Sequence, residues 1–153
     1  MKNQDRGILA AELFLKGYNC AQAVAIAFCD VTGLDEAMTA RLSSSFGGGL
    51  GRLREVCGAV SGMAMVAGVL YGSDDPKDDE AKKAHYELIQ QLAGEFRNRM
   101  GTIICRELLD NPPSDPTPSP RTAEYYANRP CARFVMVAAE ILNDYIQKNP
   151  PQK

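Results

Sequence analysis

A chain of 153 residues holds about one domain's worth of sequence and is long enough to bury a substantial core. Its 17 Lys and Arg are mixed among 19 Asp and Glu, for a net charge of -2, so no basic stripe exists to neutralise phosphates and nucleic acid is not an expected partner. Five cysteines, no Trp and a single histidine, His85, exclude a zinc site built on two histidines and leave thiols as the main source of chemistry.

The first turn is polar. From about Gln4 to Lys16 the apolar residues Ile8, Leu9, Leu13 and Phe14 then recur at helical spacing, and Gly17 is a natural C-terminal stop. This segment lacks the uniform apolar stretch and small-residue cleavage site of a signal peptide, so a cytoplasmic location is expected. A reducing compartment argues against permanent disulfides and for metal binding or redox chemistry at the cysteines. Asn19 is a good N-cap for a second helix, in which Cys20, Ala23, Val24, Ala27 and Phe28 share one stripe. Cys29, nine residues beyond Cys20, falls on the opposite side and reads as a packing residue. A third helix is expected over Asp35 to Ser44.

The stretch from Phe46 to Gly72 follows, a glycine loop FGGGLGR and then VCGAVSGMAMVAGVLYG. Gly58, Gly62 and Gly68 with Ala59, Ser61, Ala64 and Ala67 leave most of the helix surface small, which suits a buried central helix that neighbours approach closely. Membrane insertion is not expected, because the run is short, punctuated by glycine and set among amphipathic helices. Part of its surface can serve a homodimer. The loop Gly47-Gly48-Gly49-Leu50-Gly51-Arg52 has two readings. It is a tight interhelical turn needing positive φ, or a backbone nest for an anion or cofactor phosphate with Arg52 or Arg54 as partner. It lacks the strand and spacing of a dinucleotide fingerprint and the Lys-Ser/Thr ending of a P-loop.

Asp75 is expected to cap, and Pro76 to begin, a long helix running to about Met100, with Leu88, Leu92 and Phe96 as its stripe and Gly101 as its stop. His85 lies on this helix, as an edge-packed imidazole or as the one candidate for a Cys-His pair. Thr102 can cap a short helix carrying Cys105. Asn111 to Pro120, with five prolines, must be an extended loop. Arg121 to Asn128 is a short helix or turn, and Pro130 opens a last helix whose stripe is Cys131, Phe134, Val135, Ala138, Ile141, Leu142 and Tyr145. The expected architecture is all-α: a helical bundle in one domain, residues 1–148, around the glycine- and alanine-rich helix, with 149–153 a frayed tail.

One regularity stands out. Cys20, Cys57, Cys105 and Cys131 each fall near the start of a different expected helix, and Cys29 does not. Unpaired N-H groups and a partial positive charge at helix starts favour thiolates, so such cysteines suit nucleophiles, redox partners or metal ligands. Helices beginning at one end of a bundle would gather the four sulfurs beside the glycine loop.

With GYNCAQA at Cys20, FGGGLGR and VCGAVSG around Cys57, CRELL at Cys105 and RPCARFV at Cys131, nearly the whole chain resembles the C_GCAxxG_C_C family of small redox-active proteins, named for its cysteine pattern. Val56 stands here where the family label has glycine before the cysteine. The resemblance implies redox chemistry at the cysteines without specifying substrate or cofactor. Three readings remain open. In the first, a thiol oxidoreductase or electron-transfer protein cycles two or more of the four cysteines between dithiol and disulfide, with Cys57 at the loop's mouth as nucleophile and a redox protein or small thiol or disulfide as partner. In the second, Cys20, Cys57, Cys105 and Cys131 ligate an iron-sulfur cluster or another metal, although no CxxC pair is present. In the third, a helical interaction protein uses its cysteines as small buried apolar residues.

Overall fold

The computed structural model describes residues 1–152. Among them it contains α-helices, one 3-10 turn and no strand. The helices are α1 (Asn3–Leu15), α2 (Cys20–Ile26), α3 (Cys29–Thr32), α4 (Glu36–Ser43), α5 (Gly58–Tyr71), α6 (Asp79–Met100), α7 (Cys105–Leu108), α8 (Ala123–Asn128) and α9 (Cys131–Lys148). The chain is therefore all-α, as its periodicity leads one to expect.

The glycine- and alanine-rich α5 is buried along Gly58, Ala59, Val60, Gly62, Met63, Val66 and Ala67. It shares the centre with α9, whose buried face runs from Cys131 through Val135, Ala138 and Leu142 to Ile146. α9 packs against α1, α2, α5 and α6, and α2 lies along α5. This last contact is very close. A Cβ placed on Gly62 would stand 2.7 Å from the Ala21 carbonyl oxygen, and one on Gly58 would stand 3.1 Å from the Ala21 amide and 3.2 Å from the Cys20 Cβ. Only glycine lets the two backbones meet there. At the far end, the last residue of α5 is tied to α9: Tyr71 packs edge-on against Tyr145 at 5.2 Å and its hydroxyl donates to the Asn149 carbonyl at 2.7 Å. The expected tail 149–153 is thus held at its first residue, and Lys153 lies outside the described residues.

Some local expectations change. The α1 face against the core is Arg6, Gly7, Ala10, Ala11 and Phe14, whereas Ile8 is exposed and Leu9 and Leu13 are partly covered. The smaller face wins because it lets α1 lie close on α9: a Cβ on Gly7 would stand 2.9 Å from both Met136 and Glu140 side-chain carbons. Arg6 is fully enclosed, donating to Asn143 Oδ1, the Ala27 carbonyl and Asp30 and lying 4.7 Å from the Phe28 ring centre. Its acceptors satisfy the buried charge. The second helix stops at Ile26, and Cys29 begins a separate single turn. Cys29 is therefore also at a helix start, yet its thiol donates to Thr39 Oγ1 at 3.5 Å, away from the other four sulfurs. The long helix begins three residues later than expected. Asp78, not Asp75, is its N-cap, accepting from the Ala81 amide, because 76–78 are taken up in a turn. Thr102 does not cap α7 directly; its hydroxyl accepts from Ile104 N-H and donates to Glu107.

No described helix is long and apolar enough to cross a membrane. The glycines of α5 are expected to behave unequally. Gly62→Ala forces a backbone shift and lowers stability by about 1–3 kcal/mol, whereas Gly68, with nothing within 4 Å of its Cβ position, gains about 0.5–1 kcal/mol on substitution by Ala. Urea unfolding of the two variants checks the contrast.

Candidate functional site

Three helix starts converge at one end of the bundle. Asn19 caps α2 through a reciprocal box with Gln22, accepting from the Gln22 amide while its own amide donates to the Gln22 side chain. Its Nδ2 also donates to the Ser44 carbonyl at 3.1 Å. That fixes Cys20 as the first residue of α2 against the entrance of the glycine loop. Cys57 is the N-cap residue of α5, and Cys131 is the first residue of α9, after Pro130 in the N-cap position.

Cys105 arrives by another route. The end of the glycine loop pairs with the segment before α7: the Cys57 amide donates to the Ile103 carbonyl at 2.7 Å, Cys105 to Glu55 at 2.6 Å, and Arg106 to Arg54 at 3.1 Å, across an isolated antiparallel bridge Val56–Ile104. These few backbone bonds set Cys105 across from Glu55, two residues before Cys57.

All four sulfurs line one cavity of about 430 Å³, together with the loop residues Gly47, Gly48, Gly49, Gly51 and Arg52. Exposed Pro116 and Pro118 of the proline segment are among its walls and bring it to the surface. His85 does not line it, so no Cys-His pair forms there. All five cysteines are free thiols. Among the described residues no three His, Cys, Asp or Glu side chains are grouped as the ligands of one ion. Ligation by Cys20, Cys57, Cys105 and Cys131 would require the sulfurs to draw together from these positions.

The glycine loop winds in the left-handed sense. Gly48, Gly49, Leu50, Gly51 and Arg52 all have φ between 55° and 71°, and Arg54 has 64°. Its amides turn inward: Gly51 donates to Ser45, Arg52 to Gly47, Arg54 to Gly48 and Glu55 to Gly49. Asn19 fills the space a side chain on Gly47 would need, and the Cys105 Cβ and Glu55 amide fill that of Gly49, each at 2.7 Å. These contacts favour the tight-turn reading of the loop over an amide nest for a phosphate.

Arginines secure the cavity. Arg52 donates to the Asp115 carbonyl and the Ser119 hydroxyl, and Arg54 Nε donates to the Pro113 carbonyl at 2.9 Å, so the proline segment is strapped over the loop. Arg121 donates to the carbonyls of Phe14 and Tyr18 and lies over the rings of Phe14, Tyr125 and Tyr126. Arg54 is only 4% exposed; its Nη1 donates to the Cys105 sulfur at 3.7 Å, and its Nη2 has no partner.

The four thiols do not share one acidity. Burial pushes Cys57 up to about 12, outweighing the opposing pull of the Ala59 and Val60 amides. Burial also raises Cys105, against the pull of Arg54. Cys20 and Cys131 act on one another as a pair, which raises Cys20 and lowers Cys131. Helped by the Arg129 and Arg54 guanidiniums and opposed by burial, Cys131 falls from 9.0 to about 7. A helix start alone therefore does not make a thiolate: Cys57 has one and stays protonated. α7, a single turn, contributes little field at Cys105.

A family model described as "Putative redox-active protein (C_GCAxxG_C_C)" matches residues 18–145. The chain belongs to this family. Membership in the C_GCAxxG_C_C proteins assigns it a redox role in general terms. No curated protein and no solved structure matches the chain.

Arg121, Arg129 and the buried position of Arg54 were not singled out by the sequence reading, although Arg121 and Arg129 on either side of Tyr125 and Tyr126 are a visible signal for stacked guanidiniums. The loop makes a direct prediction. Gly49→Ala combines positive φ with a 2.7 Å clash and lowers stability by about 1–3 kcal/mol, whereas Gly51, whose nearest neighbour is the Ser45 carbonyl at 3.9 Å, loses only about 1 kcal/mol as Ala. Thermal unfolding of the two variants measures the difference.

Proposed function

We propose that this protein is a thiol redox protein in which Cys131 attacks an oxidised substrate and Cys20 resolves the product. The observation that carries the reading is that Cys20 and Cys131 line the same cavity, close enough for each to act on the other's acidity. Thiol-disulfide exchange needs an attacking thiolate at ambient pH with a second thiol in reach. Cys131, held near 7, supplies the first. Cys20 keeps its proton and supplies the second. The nucleophilic role expected for Cys57 passes to Cys131 in this reading, because a thiol pushed up to about 12 is scarcely ionised near neutral pH.

The step balances as follows. The Cys131 thiolate attacks one sulfur of a substrate disulfide RSSR, whose S–S bond breaks. A mixed disulfide Cys131–SR forms and RS⁻ leaves. Cys20 gives its proton to that RS⁻, and the resulting thiolate attacks the Cys131 sulfur, expelling the second RS⁻. Two electrons have passed to the substrate. The products are RSH, RS⁻ and a Cys20–Cys131 disulfide.

Reactivity should follow the thiolate, which is absent well below the lowered value and fully formed well above it. Alkylation of Cys131 in the native reduced protein by iodoacetamide, read by peptide mass spectrometry, is expected to rise with pH with a midpoint of about 7. Cys20→Ala removes the neighbouring thiol that lowers Cys131 and moves that midpoint upward. Mild oxidation with diamide should cross-link Cys20 to Cys131, and Cys131→Ser should abolish the cross-link. A wild-type midpoint near 9, or a disulfide that avoids both residues, would overturn the assignment.

A further inference from the structure

The cavity carries a charge pattern that thiol exchange does not require. Arg52, Arg54, Arg121 and Arg129 all line it, and no Asp or Glu is among the described residues that do. Among the described residues none of the four is within ion-pair distance of a carboxylate, and the described salt bridges all lie elsewhere. Arg52 and Arg121 are occupied by neutral oxygen acceptors. Arg54 is different. It is enclosed, it touches a weakly accepting thiol, and its Nη2 is left without any acceptor.

A buried guanidinium with an unused donor is costly unless an anion completes it. The Cys131 thiolate offsets part of that charge but does not supply an acceptor for Nη2. A carboxylate would, because its two oxygens match the planar fork of a guanidinium and form charge-assisted hydrogen bonds. Size narrows the choice further. Cys57, Cys105 and Cys131 are at most 6% exposed, so a disulfide held in a folded protein cannot reach them, whereas a cavity of about 430 Å³ suits a small molecule.

The geometry points to a small disulfide bearing carboxylates as the oxidised substrate, its carboxylate held by the Arg54 guanidinium with Arg129 beside it while its sulfur meets Cys131. This rests on the thiol-exchange reading and names its substrate class. The electron count is that given above: one small disulfide becomes two small thiols, and the two electrons come from Cys20 and Cys131.

Two measurements separate the two ideas. The first uses inorganic phosphate in place of chloride at equal ionic strength and reads the melting temperature of the reduced protein. Wild type should be stabilised, and Arg54→Gln should lose that rise. No rise in wild type, or an equal rise in both proteins, overturns the anion site whatever the thiols do. The second compares dithiobis(nitrobenzoate), a dianionic disulfide, with dithiodipyridine, a neutral one. The ratio of their rates should fall about tenfold in Arg54→Gln, the scale of one lost charge-assisted hydrogen bond, with Arg54→Lys in between. A ratio unchanged in both variants overturns the assigned substrate class. Should Arg54→Gln fail to fold, Arg129→Gln replaces it in both measurements. If neither disulfide oxidises the wild type, thiol exchange itself is wrong, and the phosphate measurement still decides the anion site.

Discussion

The site depends on how closely two backbones can approach. α2 rests on α5 at Gly58 and Gly62 with no α5 side chain between them, and this contact sets Cys20 beside the start of α5. A methyl group at either glycine would push the helices apart. The asymmetry of acidity between Cys20 and Cys131 then follows from their interaction: of two thiols acting on one another, the one that keeps its proton stabilises the charge on its neighbour.

Burial is the opposing force at each sulfur. It dominates at Cys57, where two backbone amides cannot compensate for the loss of water. It loses at Cys131, where one neighbouring thiol and two guanidiniums act together. Helix starts in this fold therefore determine where the sulfurs lie, while hydrogen bonding and arginine charge determine which one ionises. Because Arg54 is itself tied to the proline segment through the Pro113 carbonyl, that segment is part of the electrostatics of the site without contributing a charged side chain to the cavity.

Much of the arrangement was legible in the sequence where the signal is local. Asn19 as a cap, Gly101 as a stop, the α9 stripe and the placement of four cysteines at helix starts all depend on residues within a turn of one another. What escaped depended on distant partners. The α1 face could not be chosen from periodicity, since Ile8 and Leu13 make as good a stripe as Gly7, Ala10 and Phe14 until α9 is present to favour the smaller one. Arg6 reads as a solvated residue until Asn143, Ala27 and Asp30 surround it. The pairing of 54–57 with 103–106 leaves no pattern in either segment, because a single bridge is too short to impose alternation. The partnerless Arg54 Nη2 is a fact of three-dimensional surroundings alone.

The left-handed winding from Gly48 to Arg52, resumed at Arg54, constrains which sequences can occupy it. Side chains branched at Cβ collide with their own backbone in that conformation, so Val, Ile and Thr are shut out at the positions of Leu50, Arg52 and Arg54, while long unbranched chains are admitted at modest strain. An arginine is thus compatible with a mirror-image coil that most rigid residues could not enter. The same handedness that reverses the chain in so few residues also restricts the chemical character of what can project from it.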